Sequence, residues 1–369
     1  MNNFEEYLRQ GEPNKAEKAK VWKTAIGLQQ VDGLEPSDYL ITTAKLNIEG
    51  DISIDEVKER IDSYYIQHPV KNTENRIEEA DKVSARIAEI LSEQTFTFSP
   101  AEYLSIHRRL FQGIYGHAGK MRDYNITKQE WILNGETVLY ASAVSLKATL
   151  EYDFEQEKKF NFKGLSQQEI VEHIAHFISY LWQIHIFGEG NTRTAVVFLI
   201  KYLRKLGFKD VNNDMFAEHS WYFRNALVRA NYEDLSKGIH KTEKFIVRFL
   251  SNLLLGKNEI LKNREMHIQF VDTVKVDDDS VKDTVNDTVK VVGTVNDTVK
   301  VVVDTVNDTV FELIKHNAAI TSTEISQLLN ISLSTAKRRI KELKESGKIT
   351  RVGSDKTGYW KIIEIYKSL

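Results

Sequence analysis

The sequence predicts a mainly α-helical protein with one β-hairpin near its middle and a smaller α+β domain at its C-terminus. Between residues 76 and 255, apolar side chains recur at helical spacing. The clearest stripe comprises Ile170, Ile174, Ile178 and Leu181. The pair Asn134-Gly135 stands between two apolar triplets and favours the type I′ turn of a two-residue hairpin. After residue 309, short helical segments are followed by two strand-like ones.

Length and composition exclude several classes of protein. A chain of 369 residues is too long for one small core and fits two or three domains. Without cysteine it can form no disulfide, thiolate metal site or cysteine nucleophile. The N-terminus lacks the apolar core of a signal peptide, and no apolar run approaches the roughly 18 residues of a membrane span. We expect a cytoplasmic protein that does not act at a membrane.

Composition divides the chain into four regions. They are residues 1–75, 76–255, 256–308 and 309–369. The first is helical, with Pro13 near a helix start and one helix expected over residues 15–30. The second carries the apolar stripe, on a helix that Ser166 and Glu169 open with a capping box.

The third region repeats the sequence Thr-Val-Asn-Asp-Thr-Val. Its copies are residues 284–289, 294–299 and 305–310. Valine and threonine favour strands whereas asparagine and aspartate favour turns, so the pattern settles no structure. A disordered linker is the simpler interpretation. An oligomerisation element, which would make the protein a homo-oligomer, stays open.

The C-terminal region has the element order of a winged helix-turn-helix. A first helix is expected over about residues 309–317. Thr321 and Glu324 make the capping box of a short second helix that stops near Asn330. Ser332 caps a third helix, and two strand-like segments around a glycine-containing turn then form the wing. The two strands are residues 349–352 and 359–363.

Positive charge on this region indicates nucleic acid as its first candidate partner. From Phe311 to Leu369 there are 11 lysines and arginines against 6 acidic residues. The third helix turns Ile340 and Leu343 inward and leaves basic residues on its polar side. The candidate DNA-binding residues are Lys337, Arg338, Arg339 and Lys341 on the helix and Arg351 and Lys356 on the wing. We expect DNA binding, with protein contact or no specific partner as the alternatives.

Ten residues that begin at His185 combine the side chains that handle nucleotide phosphates. His185 follows a long buried helix, where its imidazole could take a proton from a hydroxyl at neutral pH. Glu189 can supply one oxygen to Mg²⁺, which usually binds through one or two carboxylates and substrate phosphates. A turn such as Gly190-Asn191 that opens a helix is an anion site, and Arg193 can grip a phosphate oxygen.

This segment resembles the motif HxFx(D/E)GNGRxxR of the Fic (filamentation induced by cAMP) family. The resemblance covers about residues 76–255 and extends to residues 110–115 and 118–122, which look like the family's helix leading into a β-hairpin flap. It implies a helical Fic fold whose flap edge holds a target segment by strand addition. The flap residues are Lys128 together with Asn134 and Gly135 at the tip.

Fic proteins typically transfer AMP from ATP to a Ser, Thr or Tyr hydroxyl. The resemblance therefore implies a protein adenylyltransferase that uses ATP and Mg²⁺, with His185 as the base and Glu189 as the metal ligand. The implied nucleotide-binding residues are Gly188, Glu189, Gly190, Asn191, Thr192, Arg193 and, beside the adenine, Asn231. The target is an unidentified protein, and modification of the chain itself stays open. So do a phosphotransferase of the same fold and a nucleotide-sensing, DNA-binding regulator without transferase activity.

Two positions depart from the family's pattern. Thr192 replaces the second glycine of the motif, a change that a negative φ would allow. The final arginine falls on Val196, which cannot bind a γ-phosphate. This second change argues against ATP in the family's usual pose, although not against nucleotide binding.

Residues 25–60 resemble a small Fic antitoxin fused to the N-terminus. Many Fic proteins are restrained by a helix with the motif (S/T)xxxE(G/N), whose glutamate pairs with the motif's final arginine. Here Asp32-Gly33 takes the Glu-Gly place and Leu28 the Ser/Thr place. The resemblance implies Asp32 and Gly33 as the inhibitory residues.

Both ends of that ion pair are changed in this chain. The acid at Asp32 is one methylene shorter, and Val196 stands where its partner would be. These changes argue against a brake based on charge and leave a steric one open. Glu49, which precedes Gly50, is a second candidate acid. A helical lid without regulatory effect is the simpler alternative.

Overall fold

The computed structural model describes residues 4–69, 76–208, 211, 214–270 and 310–363. The last range has gaps at 312, 316, 319, 330–332, 346–347 and 353–358. The chain divides into two compact units, Met1–Ile268 and Gln269–Leu369. Of the predicted linker, residues 256–308, only residues 256–270 are described, so its repeats lie outside the described residues apart from Val310, the last residue of the third copy. The boundaries expected at residues 75, 255 and 308 stay predictions.

The first unit consists of α-helices around one apolar core, as predicted. Its helices are α1 (Glu5–Gln10), α2 (Pro13–Gly27), α3 (Asp38–Glu49), α4 (Ile54–Gln67), α5 (Ile77–Ser92), α6 (Pro100–Phe111), α7 (Leu146–Lys159), α8 (Gln167–Ile184), α9 (Asn191–Lys205), α10 (Asp214–Ala230) and α11 (Lys244–Leu255). In the part of the chain that is described, none of the helices combines the length and apolar character needed to cross a membrane.

The N-terminal segment is helical and shares the core of the first unit. Helix α2 begins with Pro13 in its first turn, where the missing N–H is not needed. The helix expected over residues 15–30 is α2 followed by a 3₁₀-helix, Leu28–Asp32. Gly33 ends this turn with a φ of 68°, in the left-handed region that favours glycine. Asp32 thus stands at the end of a largely buried turn, with its own side chain 25% exposed.

The ten residues that begin at His185 lead from the end of helix α8 into the first turn of α9. The predicted capping box opens α8: the Glu169 amide donates to Ser166 Oγ at 3.3 Å, and the Ser166 amide donates to the Glu169 carboxylate at 2.8 Å. The apolar stripe is confirmed, with Ile174, Ile178 and Leu181 buried and Ile170 partly buried. Helix α9 is buried from residue 191 to residue 203. Its polar side chains must therefore find partners inside the protein.

We call residues 124–142, between α6 and α7, the flap. Its predicted turn is confirmed, since Asn134 and Gly135 have φ values of 56° and 86°, as a type I′ turn requires. The Glu136 amide donates to the Leu133 carbonyl across this turn at 3.1 Å. The prediction of strands on both sides of the turn is wrong: residues 124–142, all of which are described, contain no strand.

A 3₁₀-helix, Trp131–Leu133, replaces the first of these strands. The reason is burial, because Ile132 and Leu133 are both fully buried. Successive side chains of a strand point to opposite faces, so a strand here would turn one of the two towards solvent. A helical turn buries both, and a hydrogen bond of 2.9 Å from the Glu130 amide to the Glu136 carbonyl closes the loop below it.

The second unit has the element order of a winged helix, as predicted. Its elements are helical residues at 310–311 and 313–315, α12 (Ser322–Leu329), α13 (Leu333–Glu345), β1 (Ile349–Val352) and β2 (Tyr359–Ile362). The strands are antiparallel, with Arg351 opposite Trp360. The capping box before α12 is confirmed by the bond from the Glu324 amide to Thr321 Oγ1 at 3.2 Å. Ile340 is buried against the apolar core of this unit.

Candidate functional site

His185 ends helix α8 in an unusual backbone conformation. Its φ of 49° lies in the left-handed region, which a non-glycine residue adopts only where its surroundings hold it. Arg122, itself buried, holds it here: Nε donates to the His185 carbonyl at 2.8 Å and Nη2 to the Ile184 carbonyl at 3.3 Å. The same guanidinium donates to the flap carbonyls of Tyr124 and Ala141. Arg122 therefore fixes both the histidine and the flap beside it.

The His185 imidazole is buried and neutral. Only 4% of the residue is exposed, and neither ring nitrogen has a hydrogen-bond partner among the described residues. Burial lowers its pKa well below the usual value, and the positive charges of Lys128, Arg224 and Arg122 lower it further. A neutral imidazole with unpaired nitrogens can accept a proton at neutral pH.

The flap covers His185. The Tyr140 ring lies 4.2 Å from the imidazole, centroid to centroid. The carboxylate of Glu130 accepts bonds of 2.7 and 3.0 Å from Arg224 and one of 3.4 Å from the Tyr140 hydroxyl. At the tip, the Ile268 amide donates to the Ile132 carbonyl at 2.9 Å. A hydroxyl can reach His185 only when this cover moves.

The loop after His185 places one carboxylate at the start of α9. Glu189 is half-exposed, and its carboxylate lies 3.1 Å from Lys128 Nζ on the flap. The Glu189 carbonyl contacts the buried His107 Nε2 at 3.0 Å. Because His107 Nδ1 accepts from the Gly119 amide at 2.8 Å, Nε2 carries the proton. His107 and Lys128 thus fix the backbone and the side chain of Glu189.

Gly190 is the N-cap of α9 and has a φ of 77°. A Cβ at this position would lie 2.4 Å from the Phe111 ring, so only glycine fits. The amides of the first turn of α9 follow directly. This is the geometry of an anion site at a helix N-terminus.

Asn191 and Thr192 use their side chains to hold the loop together. Asn191 accepts from the Phe187 amide at 3.0 Å and donates to the Phe187 carbonyl at 2.8 Å. Thr192 Oγ1 accepts from the Trp182 indole at 3.0 Å. These residues can therefore offer a phosphate their backbone amides. Gly188, the remaining residue of this loop, lies beside Tyr124 and His117.

Arg193 is completely buried, and four side chains converge on it. Nη1 donates to Gln29 at 2.9 Å, while Nη2 lies 2.8 Å from Glu79, 2.7 Å from Asp32 and 3.3 Å from the Tyr115 hydroxyl. The sequence argued against an ion pair for Asp32, because Val196 replaces the expected arginine. That expectation is wrong. The acid pairs with Arg193, one helical turn earlier, whereas Val196 is buried in the apolar core.

The second candidate acid lies elsewhere. Glu49 ends α3 and pairs with Lys15 at 2.7 Å on the surface. Asn231, expected beside the adenine, donates through Nδ2 to the carbonyls of Ser179 and Leu227 at 3.0 and 2.9 Å. Its amide group therefore ties the end of α10 to α8.

A single carboxylate suits Mg²⁺ better than most other metals. Among the described residues, no cluster of three or more His, Asp or Glu side chains could enclose a metal ion. Glu189 supplies one half-exposed carboxylate beside a helix N-terminus. Mg²⁺ characteristically binds through one or two carboxylates and completes its shell with water and substrate phosphates. Glu189 fits that role.

The basic side chains of the second unit differ in exposure. Lys337 and Lys341 are exposed on α13, whereas Arg338 and Arg339 are half-buried. Arg351 stacks on Trp360 across the wing strands, 4.7 Å from the ring centroid. Lys356 lies outside the described residues.

Several residues that shape the site were not predicted from the sequence. They are Arg76, Glu79, Glu130, Tyr140 and Arg224, together with the role of Arg122. Arg76 and Glu79 stand three residues apart, a spacing that usually marks a surface ion pair. Their partners come from segments far away in the chain, so no local pattern predicts them.

Matches to known proteins cover the two regions separately. The model of the Fic/DOC family matches residues 97–203, and that of the winged helix-turn-helix DNA-binding family matches residues 310–350. Over 103 residues the chain is 28% identical to protein adenylyltransferase VbhT from Bartonella schoenbuchensis. The match covers 28% of this chain and 20% of that protein's length.

Solved structures that resemble the chain include two Fic proteins of low identity. The N-terminal FIC domain of the Bep8 protein from Bartonella sp. 1-1C is 19% identical, with a TM-score of 0.40 over 51% of this chain and 88% of that one. A Fic family protein from Desulfovibrio desulfuricans G20 is 13% identical, with a TM-score of 0.41 over 100% of this chain and 94% of that one. The family matches by themselves show that the chain carries a Fic/DOC domain at residues 97–203 and a winged helix-turn-helix at residues 310–350.

Proposed function

We propose that the first unit is a protein adenylyltransferase that moves AMP from ATP to a Ser, Thr or Tyr hydroxyl, with Mg²⁺ as cofactor. The observation that carries the proposal is the neutral, unpaired imidazole of His185, directly before the anion-binding turn of α9. The Fic/DOC match and the adenylyltransferase among its relatives support the same reaction. Because the reaction consumes ATP, we place the protein in the cytoplasm.

In the proposed reaction, His185 takes the proton of the target hydroxyl as the hydroxyl oxygen bonds to the α-phosphorus of ATP. The bond from the α-phosphorus to the oxygen bridging it to the β-phosphate breaks, and pyrophosphate leaves. Amides at the start of α9 stabilise the negative charge that develops on the phosphate. Bound Mg²⁺, held by Glu189, would neutralise charge on the phosphates.

Asp32 restrains the enzyme by holding Arg193. Its carboxylate lies 2.7 Å from Nη2 and takes a place beside the guanidinium that a phosphate oxygen could otherwise occupy, while Glu79 and Gln29 stay bound. Gly33 ends the 3₁₀ turn that carries the acid. The inhibition is therefore electrostatic: the Asp32 carboxylate keeps Arg193, the remaining arginine of the motif, from the phosphates of the nucleotide.

The position of the label on ATP tests the proposed reaction. AMP transfer labels protein from ATP that carries the label at the α-phosphate, and not from ATP labelled at the γ-phosphate. The opposite pattern would identify a phosphotransferase. Nucleotide binding without labelling from either substrate would favour the nucleotide sensor. The ion pairs of Arg193 with Asp32 and Glu79 are also compatible with a sensor.

The second unit is proposed to bind DNA through α13. Lys337 and Lys341 are exposed on this helix, where their ammonium groups can meet phosphates. We expect the double variant Lys337→Glu/Lys341→Glu to lose most of its affinity for duplex DNA and to show a weaker dependence on salt. A gel-shift titration at two salt concentrations measures both. Lys147→Glu, on the exposed surface of α7, is the control, and equal losses in both variants would contradict a DNA-binding α13.

A further inference from the structure

Two arginines converge on the same pair of acceptors. Arg76 Nη2 lies 2.6 Å from Glu79 Oε1 and 2.8 Å from the Tyr115 hydroxyl. Arg193 Nη2 lies 2.8 Å from the same carboxylate oxygen and 3.3 Å from the same hydroxyl. The two guanidinium groups are therefore direct neighbours, although Arg76 precedes α5 and Arg193 lies in α9.

The charges of this cluster balance only while Asp32 is in place. Arg76 and Arg193 contribute two positive charges, and Glu79 and Asp32 contribute two negative ones. Burial alone would raise the pKa of Glu79, but the hydrogen bonds and positive charges of the two arginines hold it below the usual value, so it stays ionised. If Asp32 withdraws, one positive charge remains without a counter-charge. An anion can then replace the carboxylate.

Arg193 retains an unused donor in this arrangement. Its Nε–H is buried and has no acceptor among the described residues. A buried donor without an acceptor on a charged group is costly, and each such group in a folded protein needs an explanation. This observation points to a ligand independently of the charge balance.

The cluster adjoins the anion-binding turn of α9. The Phe111 ring abuts Gly190 on one side, since a Cβ there would lie 2.4 Å from it. The same ring lies under the Arg193 guanidinium at 4.8 Å and stacks on Tyr115 at 4.9 Å. The α9 turn and the two arginines thus share one wall. A polyphosphate that begins at the turn can extend towards the cluster.

The position of Arg76 allows its side chain to contact a ligand in addition to its partners in the protein. It precedes α5 with a φ of 42°, a conformation that costs free energy in a non-glycine residue. Its side chain is 37% exposed, whereas Arg193 is completely buried. Arg76 can therefore turn towards solvent and towards an incoming anion without leaving the cluster.

We propose that Arg76 and Tyr115 complete a subsite for the terminal phosphate of a nucleoside triphosphate, in which Arg76 supplies the guanidinium that Val196 cannot. This inference rests on the proposed function, since it takes ATP as the ligand of the α9 turn. The phosphate replaces the Asp32 carboxylate between the two arginines. Arg76 is then a residue that distinguishes a triphosphate from a monophosphate.

Nucleotide binding by a chain that cannot turn over tests the subsite. Asp32→Ala removes the competing carboxylate, and His185→Ala removes the proposed base. In this background, isothermal titration with ATP and with AMP, each with Mg²⁺, is compared with and without Arg76→Ala. We expect the dissociation constant for ATP to rise at least about tenfold, as for the loss of a charge-assisted pair, and that for AMP to stay within about twofold.

Arg109→Ala is the matched control, since Arg109 is 32% exposed and also pairs bidentately with a glutamate, Glu93. It should leave both dissociation constants unchanged.

Arg76→Lys keeps the positive charge and should weaken ATP binding less than Arg76→Ala. That difference would show that the effect is not one of folding. Equal weakening of ATP and AMP, or unchanged ATP binding, would overturn the subsite. Failure of the background chain to bind either nucleotide would overturn the subsite and the proposed function together. Binding that depends on Arg76, in a protein that transfers no AMP, would overturn the proposed function alone.

Discussion

His185→Ala is expected to lower AMP transfer by about 10²- to 10⁴-fold, the usual contribution of a general base. The imidazole is the one group of the site that combines burial, neutrality and two unpaired nitrogens within the described residues. Nucleotide binding should change little, because the anion-binding turn and Glu189 remain. Initial rates with saturating ATP labelled at the α-phosphate measure the effect. His176→Ala is the control, since His176 lies on the same helix, is exposed and pairs with Glu243.

The pH dependence of the rate should follow from the lowered pKa of His185. The base must be neutral to act, and burial together with three nearby cations holds its pKa below the ordinary value of 6.5. As pH falls from neutrality, the rate should therefore stay constant through pH 6.5 and decline only at lower pH. A decline that begins above pH 6.5 would contradict a buried, neutral base.

Asp32→Ala is expected to raise AMP transfer at least about tenfold. The change removes the carboxylate from Arg193 and leaves a guanidinium that can meet a phosphate oxygen, a charge-assisted contact worth roughly 1.5–3 kcal/mol. The apparent affinity for ATP should rise with the rate. Titration of ATP in the labelling assay gives both quantities.

Glu49→Ala is the matched control for this change. Glu49 also precedes a glycine and pairs with a cation, Lys15, but on the surface and away from Arg193. Its removal should leave the rate unchanged. Some loss of thermal stability is expected for Asp32→Ala, since Arg193 is buried, although Glu79 and Gln29 remain bound to it. An unchanged rate in Asp32→Ala would contradict the proposed inhibitory role of Asp32.

Local patterns predicted most of the fold. Capping boxes at Ser166 and Thr321 mark helix starts because their hydrogen bonds join residues three apart. The Asn134-Gly135 turn followed from backbone preferences of these two residues. The prediction of strands in the flap was wrong. Ile132 and Leu133 are both buried against a core that no local pattern shows.

The candidate site could be predicted only where its residues are adjacent in the sequence. The segment from His185 to Arg193 could be read as one unit, and the structure keeps it together at the junction of α8 and α9. Contacts between distant segments could not be read in this way. Arg193 meets Asp32 across most of the first unit's sequence, and matching the acid to position 196 missed the arginine one turn earlier.

Intact-mass and peptide mass spectrometry of modified proteins tests the central claim most directly. Four chains of 369 residues are compared after incubation with ATP, Mg²⁺ and lysate: the unchanged protein, Asp32→Ala, His185→Ala and the double variant. We predict AMP-sized adducts, on lysate proteins or on the chain itself, that are most abundant with Asp32→Ala and at least about a hundredfold rarer with both chains that lack His185. Adducts of undiminished abundance without His185, or none with Asp32→Ala, would contradict an adenylyltransferase that uses His185 as its base and is inhibited by Asp32.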